Sequence, residues 1–84
     1  TQLGLSMITS AQIRAARAAL GWNITRLSNE TGVSERTIIR MEATDGVPNS
    51  TAANLKIIRL TLEVAGIEFI GTPGDRPGIR VNAK

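Results

Sequence analysis

The 84-residue chain has no cysteine, no histidine and no tyrosine. These absences exclude disulfide scaffolds, thiol nucleophiles, imidazole general bases and the usual zinc-ligand sets, and with them most familiar enzyme sites. Aromatics are scarce: Trp22 and Phe69 stand alone, although 42% of the residues are hydrophobic. The core must therefore be aliphatic and alanine-rich, a composition that favours close-packed helices over sheets. No run approaches the roughly 18 apolar residues of a membrane span, and no signal-peptide pattern opens the chain. A chain of this length allows one small domain. The expectation is a soluble, cytoplasmic, non-enzymatic protein with no membrane partner, no cofactor, no metal site and no catalytic residue.

Ten basic and seven acidic residues leave a net charge of +3. That excess is too small to name a polyanionic partner, so the placement of the charges has to decide. Residues 9–42 carry +2, residues 43–70 carry −1 and residues 71–84 carry +2. Both ends are basic.

Thr9 with Gln12 three residues on forms a capping box, Ile8 and Ile13 are placed as a hydrophobic staple, and Gly21 supplies a helix stop. Asn23 can cap a second helix over Ile24 to Thr31, with Leu27 and Thr31 turned inward. Thr31-Gly32-Val33-Ser34 then makes a tight turn, in which Gly32 takes the positive φ and Ser34 caps a third helix running from Glu35 to about Ala43. After the loop Thr44 to Pro48, one of Asn49, Ser50 or Thr51 caps a fourth helix that reaches about Ala65. Ile67 to Ile70 and Ile79 to Val81 read as short strands joined by the Gly/Pro-rich stretch Gly71 to Gly78.

At helical spacing, Ile38 and Met41 share one side of the third helix while Arg36, Ile39 and Arg40 share the other. A short helix after a Gly-containing turn, presenting arginines from its outer face, has the geometry that enters a DNA major groove; an ordinary solvated face would look the same in isolation. Arg17 breaks the apolar stripe formed by Ile13, Ala16 and Leu20 on the first helix. A buried guanidinium needs a carboxylate, and Glu42 on the flank of the third helix is the candidate for a structural ion pair.

Taken together, Ile13-Arg14-Ala15-Ala16-Arg17, Leu20-Gly21-Trp22, Thr31-Gly32-Val33-Ser34, Thr37-Ile38, Met41-Glu42 and Gly46-Val47-Pro48 resemble the Cro/phage-repressor (Xre) family of helix-turn-helix transcriptional regulators. The tail Ile67-Glu68-Phe69-Ile70 with Gly78-Ile79-Arg80 is similar to that of its compact bacterial members. The resemblance implies a mainly α, lambda-repressor-like four-helix DNA-binding domain over residues 9–66, followed by a short β-hairpin or strand pair at 67–84; residues 1–8 read as an N-terminal arm or a foreign remnant. It implies base contacts from Ser34, Glu35, Arg36, Ile39 and Arg40, with Arg36 and Arg40 as the main readers, and double-stranded DNA as the partner of a regulator, most simply a repressor. Where many members carry a phosphate-holding Gln, this chain has Ile24, and its third loop holds Asp45 with no Lys or Arg. Phosphate contacts are left to Asn23, Thr25, Arg26, Thr37 and Thr44.

The fourth helix carries two apolar stripes, one of Ala52, Leu55, Ile58, Leu62 and Ala65 and another of Ala53, Ile57, Leu60 and Val64. A surface helix needs one. The second stripe predicts a homodimer interface built from Ile57, Leu60, Val64 and the tail residues Ile67, Phe69, Ile79 and Val81, with strand pairing open within or between chains. The rival reading is a protein-interaction module, such as an antitoxin that captures a partner protein through its C-terminal half. Three other signals point elsewhere. Gly71 to Asp75 opens no helix and lacks a following Lys, so it reads as a turn and not a phosphate cradle; Glu63 and Glu68 lack companions for metal or acid-base work; Trp22 reads as a packing residue at a helix junction.

Overall fold

Every helix begins where a short polar side chain takes over backbone N–H groups that have no partner inside the helix. In the computed structural model, which describes residues 7–82, Thr9, Asn23, Ser34 and Thr51 are those caps. They open α1 (Ser10–Leu20), α2 (Ile24–Thr31), α3 (Glu35–Glu42) and α4 (Ala52–Val64). Strands β1 (Ile67–Thr72) and β2 (Asp75–Val81) follow as an antiparallel pair. The result is a mixed architecture, about half helical, with four helices and one two-stranded sheet among the described residues.

The Thr9–Gln12 capping box is complete: the Gln12 N–H donates to Thr9 Oγ1 at 3.1 Å and the Thr9 N–H to Gln12 Oε1 at 2.8 Å. Gly21 and Gly32 end α1 and α2 at positive φ, 69° and 79°, which an L-residue with a side chain rarely adopts. The α2–α3 connection is three residues long. It is tightened by Ser28, whose hydroxyl donates to the Val33 carbonyl, and by Thr31, whose hydroxyl accepts from the Val33 N–H.

One core joins the four helices and β1: Ile8, Ile13 and Ala16, Leu27, Val33, Ile38 and Met41, then Leu55, Ile58, Leu62 and Ile67, with Ile79 of β2 packed against it. Ile8 is buried, so it belongs to the folded body and not to the 1–8 arm; residues 1–6 of that arm lie outside the described residues. Ala52, placed on the inner stripe of the fourth helix by its spacing, is exposed at the start of α4, and burial on that stripe begins at Leu55.

The hairpin is longer than the strand pattern suggested, and its turn is shorter. Pairing continues through a bulge to Thr72↔Asp75, which leaves only Pro73 and Gly74 as the loop. Two left-handed residues make this possible, Gly71 at φ 74° and Arg76 at φ 51°. The sheet lies on its own chain: the Gln12 amide donates from Nε2 to the Ile70 and Gly78 carbonyls at 3.2 and 2.9 Å, and the Arg59 guanidinium of α4 stands 5.6 Å over the Phe69 ring. A lone two-stranded hairpin is marginal in water, so these anchors and the burial of Ile67 hold it in place.

Candidate nucleic-acid interface

The docking of α3 is set by α1. Ser10, Arg14 and Arg17 lie at i, i+4 and i+7 and so share a face. That face meets the C-terminal end of α3, where the last carbonyls have no helical partner. The Ser10 hydroxyl donates to the Met41 carbonyl, Arg14 donates to the Glu42 carbonyl, and Arg17 takes both carboxylate oxygens of Glu42 at 2.9 Å. Arg17 donates a further bond to the Trp22 carbonyl at 3.0 Å, tying the α1–α2 junction into the same cluster. The Glu42 hydrogen bond raises the Arg17 pKa, burial partly opposes that rise, and charge attraction to Glu42 adds to it. The Arg17–Glu42 pair expected from the apolar stripe is therefore present, with Glu42 buried.

The opposite face of α3 is open. Ser34, Glu35, Arg36, Ile39 and Arg40 are all exposed, while Ile38 and Met41 are buried behind them. Charge pairing separates the basic residues. Arg17, Arg26, Arg59, Arg76 and Arg80 each hold a carboxylate, to Glu42, Glu30, Glu63, Asp75 and Glu68 in turn, and Arg14 holds a carbonyl. Among the described residues, Arg36, Arg40 and Lys56 have neither. Glu63 and Glu68 are thus ion-pair partners on α4 and the hairpin.

The phosphate candidates divide. Asn23, which is exposed, caps α2 through its side-chain oxygen, which accepts from the Arg26 N–H at 2.7 Å. Arg26 stacks 4.6 Å over Trp22 and bonds Glu30 at 2.9 Å, and Thr25 donates to Glu35 at 3.1 Å. Thr37 shares its hydroxyl with Ser34 at 2.9 Å. Thr44 turns inward, its hydroxyl bonded to Ser10 at 2.8 Å and to the Met41 carbonyl at 3.3 Å, so its first role is to lock the end of α3 to α1.

No protein-family model matches the chain, and no curated protein matches it significantly.

The sequence pattern missed part of the surface. A polar cleft of about 430 Å³ runs beside Arg40, walled by Thr37 and Thr44 on one side and by Asn49, Ser50, Thr51 and Asn54 on the other. The run Asn49-Ser50-Thr51 signals a helix start, and only the fold shows that it stands next to Arg40. Ile67 is 1% exposed and sits in the core, so it is not free to form the expected dimer contact; Phe69 and Ile79 are half-buried against that core, and Val81 is largely exposed. The chain reversal at Gly66, at φ 111°, folds β1 onto α4, and β2 lies against α1.

Proposed function

We propose that the chain is a sequence-specific DNA-binding regulator of the lambda-repressor-like, helix-turn-helix kind, with α3 as the helix that enters the major groove. One observation carries this reading. Of the nine described basic residues, five hold a carboxylate and Arg14 a backbone carbonyl, and two of the three that hold neither, Arg36 and Arg40, stand one turn apart on the exposed face of α3 with Ile39 between them. Arginine suits bidentate contact with guanine O6 and N7, and Ile39 suits a thymine methyl. The Ser34 cap and Thr37 stand at the mouth of the groove, the Asn23 amide and Arg26 reach one strand's phosphates, and the cleft beside Arg40 takes a phosphate of the other.

Selection of sites from random duplexes, repeated at two salt concentrations, tests this. A defined half-site should emerge, and Arg36→Ala with Arg40→Ala should abolish its enrichment while leaving the melting temperature unchanged, because neither side chain has an internal partner. If no duplex is enriched, or the double variant binds as the parent does, the reading fails and capture of a partner protein takes its place.

A further inference from the structure

We propose that the groove between α2 and the outer face of α4 binds a small amphiphilic organic cation, an ammonium group carried on an apolar aryl or alkyl body. Ile57, Leu60 and Val64 recur at helical spacing and line it from α4; Trp22, just before α2, and Glu30, in the last turn of α2, line it from the other side. The groove measures about 490 Å³, within the range of small-molecule sites. Ile57, Leu60 and Val64 are 38%, 46% and 82% exposed, so a ligand with an apolar body has hydrocarbon surface left to cover.

Charge selects the class of ligand. Among the described residues, Glu30 is the one charged side chain that lines the groove, and no Lys or Arg joins it there. What Trp22 and Glu30 hold together is already visible within the chain: the Arg26 guanidinium stands 4.6 Å over the Trp22 ring, and its Nε donates to Glu30 Oε2 at 2.9 Å. An aromatic ring beside a carboxylate is an arrangement that takes organic cations. Arg26 uses one oxygen of Glu30; the other, Oε1, has no hydrogen-bond partner among the described residues and is open to an ammonium N–H.

The Arg26–Glu30 pair is also weak. Its side chains are 54% and 42% exposed, so water screens the attraction, and a ligand cation that covers the groove can share Glu30 or take it over. An anionic head group would meet the Glu30 carboxylate with like charge, and a neutral one would cover that carboxylate without pairing it. The groove shares no residue with the exposed face of α3, so capture of a cation and recognition of DNA stand or fall separately.

Three probes with one apolar body and different head groups test this: phenylbutylammonium, phenylbutanol and phenylbutyrate. Each is titrated into the full chain, followed by the emission of Trp22, the one tryptophan, and by amide chemical shifts. The cation should bind one per chain with a Kd on the order of 1 mM or below, shifting the amides of Trp22, Glu30 and residues 57–65. It should bind about fivefold tighter than the alcohol and at least about tenfold tighter than the carboxylate. Glu30→Gln should lower the cation to the affinity of the alcohol and leave the alcohol unchanged, with little effect on the melting temperature. Arg26→Ala removes the internal competitor and should strengthen cation binding about threefold, while Leu60→Ser should weaken all three probes. Equal affinities for the three probes, tightest binding of the carboxylate, or cation binding indifferent to Glu30→Gln overturns the proposal. So does the absence of saturable binding up to about 10 mM. In that case sedimentation names the occupant, a two-chain mass giving the groove to a second copy and a single-chain mass giving it to another protein.

Discussion

Arg17 holds both oxygens of Glu42, Nε on Oε2 and Nη2 on Oε1, each at 2.9 Å, and so joins the middle of α1 to the end of α3. Glu42 is 7% exposed and Arg17 is 23% exposed, so the pair is partly shielded from water. Removing one partner strands the other, which costs more than the pair itself contributes. Arg17→Met should therefore destabilise by about 3 kcal/mol and Glu42→Gln by about 2 kcal/mol, while Arg17→Met with Glu42→Leu recovers most of the loss. Because the Arg17 pKa is raised, its share of stability is full below the ordinary arginine range and fades only at still higher pH. Urea unfolding at pH 6 and pH 8 should agree. Single variants within about 0.5 kcal/mol of the parent would remove the pair's role in setting the angle of α3.

Gln12 works at two ends. Its Oε1 accepts the Thr9 N–H that opens α1, and its Nε2 donates to carbonyls on both strands of the hairpin. Gln12→Leu keeps the volume but strands three backbone groups, each worth about 1 kcal/mol or more when buried without a partner. The variant should lose about 2–3 kcal/mol, and amide exchange should accelerate in residues 67–81 well before it does in α2 and α3. Uniform acceleration across the chain would show that the hairpin is not held through this side chain.

Gly71 and Gly74 lie three residues apart in the same turn and should respond in opposite ways. A Cβ at Gly71 would overlap the Arg76 carbonyl, and the residue also sits at φ 74°; a Cβ at Gly74 would meet nothing within 4 Å, and Gly74 has no positive φ. Gly71→Ala should cost about 2 kcal/mol or more, and Gly74→Ala should stay within about 0.5 kcal/mol. Thermal unfolding of the two variants side by side decides it, and equal losses would mean that the bulge is not required.

What could be read before folding was local chemistry. Thr9, Asn23 and Ser34 cap because a short oxygen side chain precedes a helical run, and Arg17 demanded an acid because it interrupts an apolar stripe. The two stripes of α4 were likewise visible in its spacing. The hairpin's extent was not, since Gly71, Pro73, Gly74 and Pro77 break the alternation that marks a strand, and pairing continues only because Gly71 and Arg76 turn left-handed. Nor could spacing show that Ile67, Phe69 and Ile79 turn toward the core or that Gln12 reaches carbonyls 58 and 66 residues away. Those facts depend on where the chain reverses at Gly66. The cleft of Asn49, Ser50 and Asn54 beside Arg40 was hidden for the same reason.

Glu35 is the one acid on the exposed face of α3, and it is not isolated: Thr25, at the start of α2, donates its hydroxyl to Glu35 Oε2 at 3.1 Å. Under the DNA reading Thr25 faces the phosphate backbone and Glu35 stands beside it, so the carboxylate repels the polyanion and also occupies a hydroxyl suited to a phosphate oxygen. Its benefit to the free protein is the favourable placement of a negative charge in the first turn of α3. Glu35→Gln should lower the melting temperature slightly and raise affinity about three- to tenfold at low salt, by similar factors for selected and random duplexes, with a steeper salt dependence. Thr25→Ala added to Glu35→Gln should give back part of that gain, since the freed hydroxyl is then missing. Titration of a fluorescent duplex at two ionic strengths measures both effects. A loss of affinity confined to sites with cytosine at one position would show instead that Glu35 accepts from a base N4 group, and would overturn the repulsion argument.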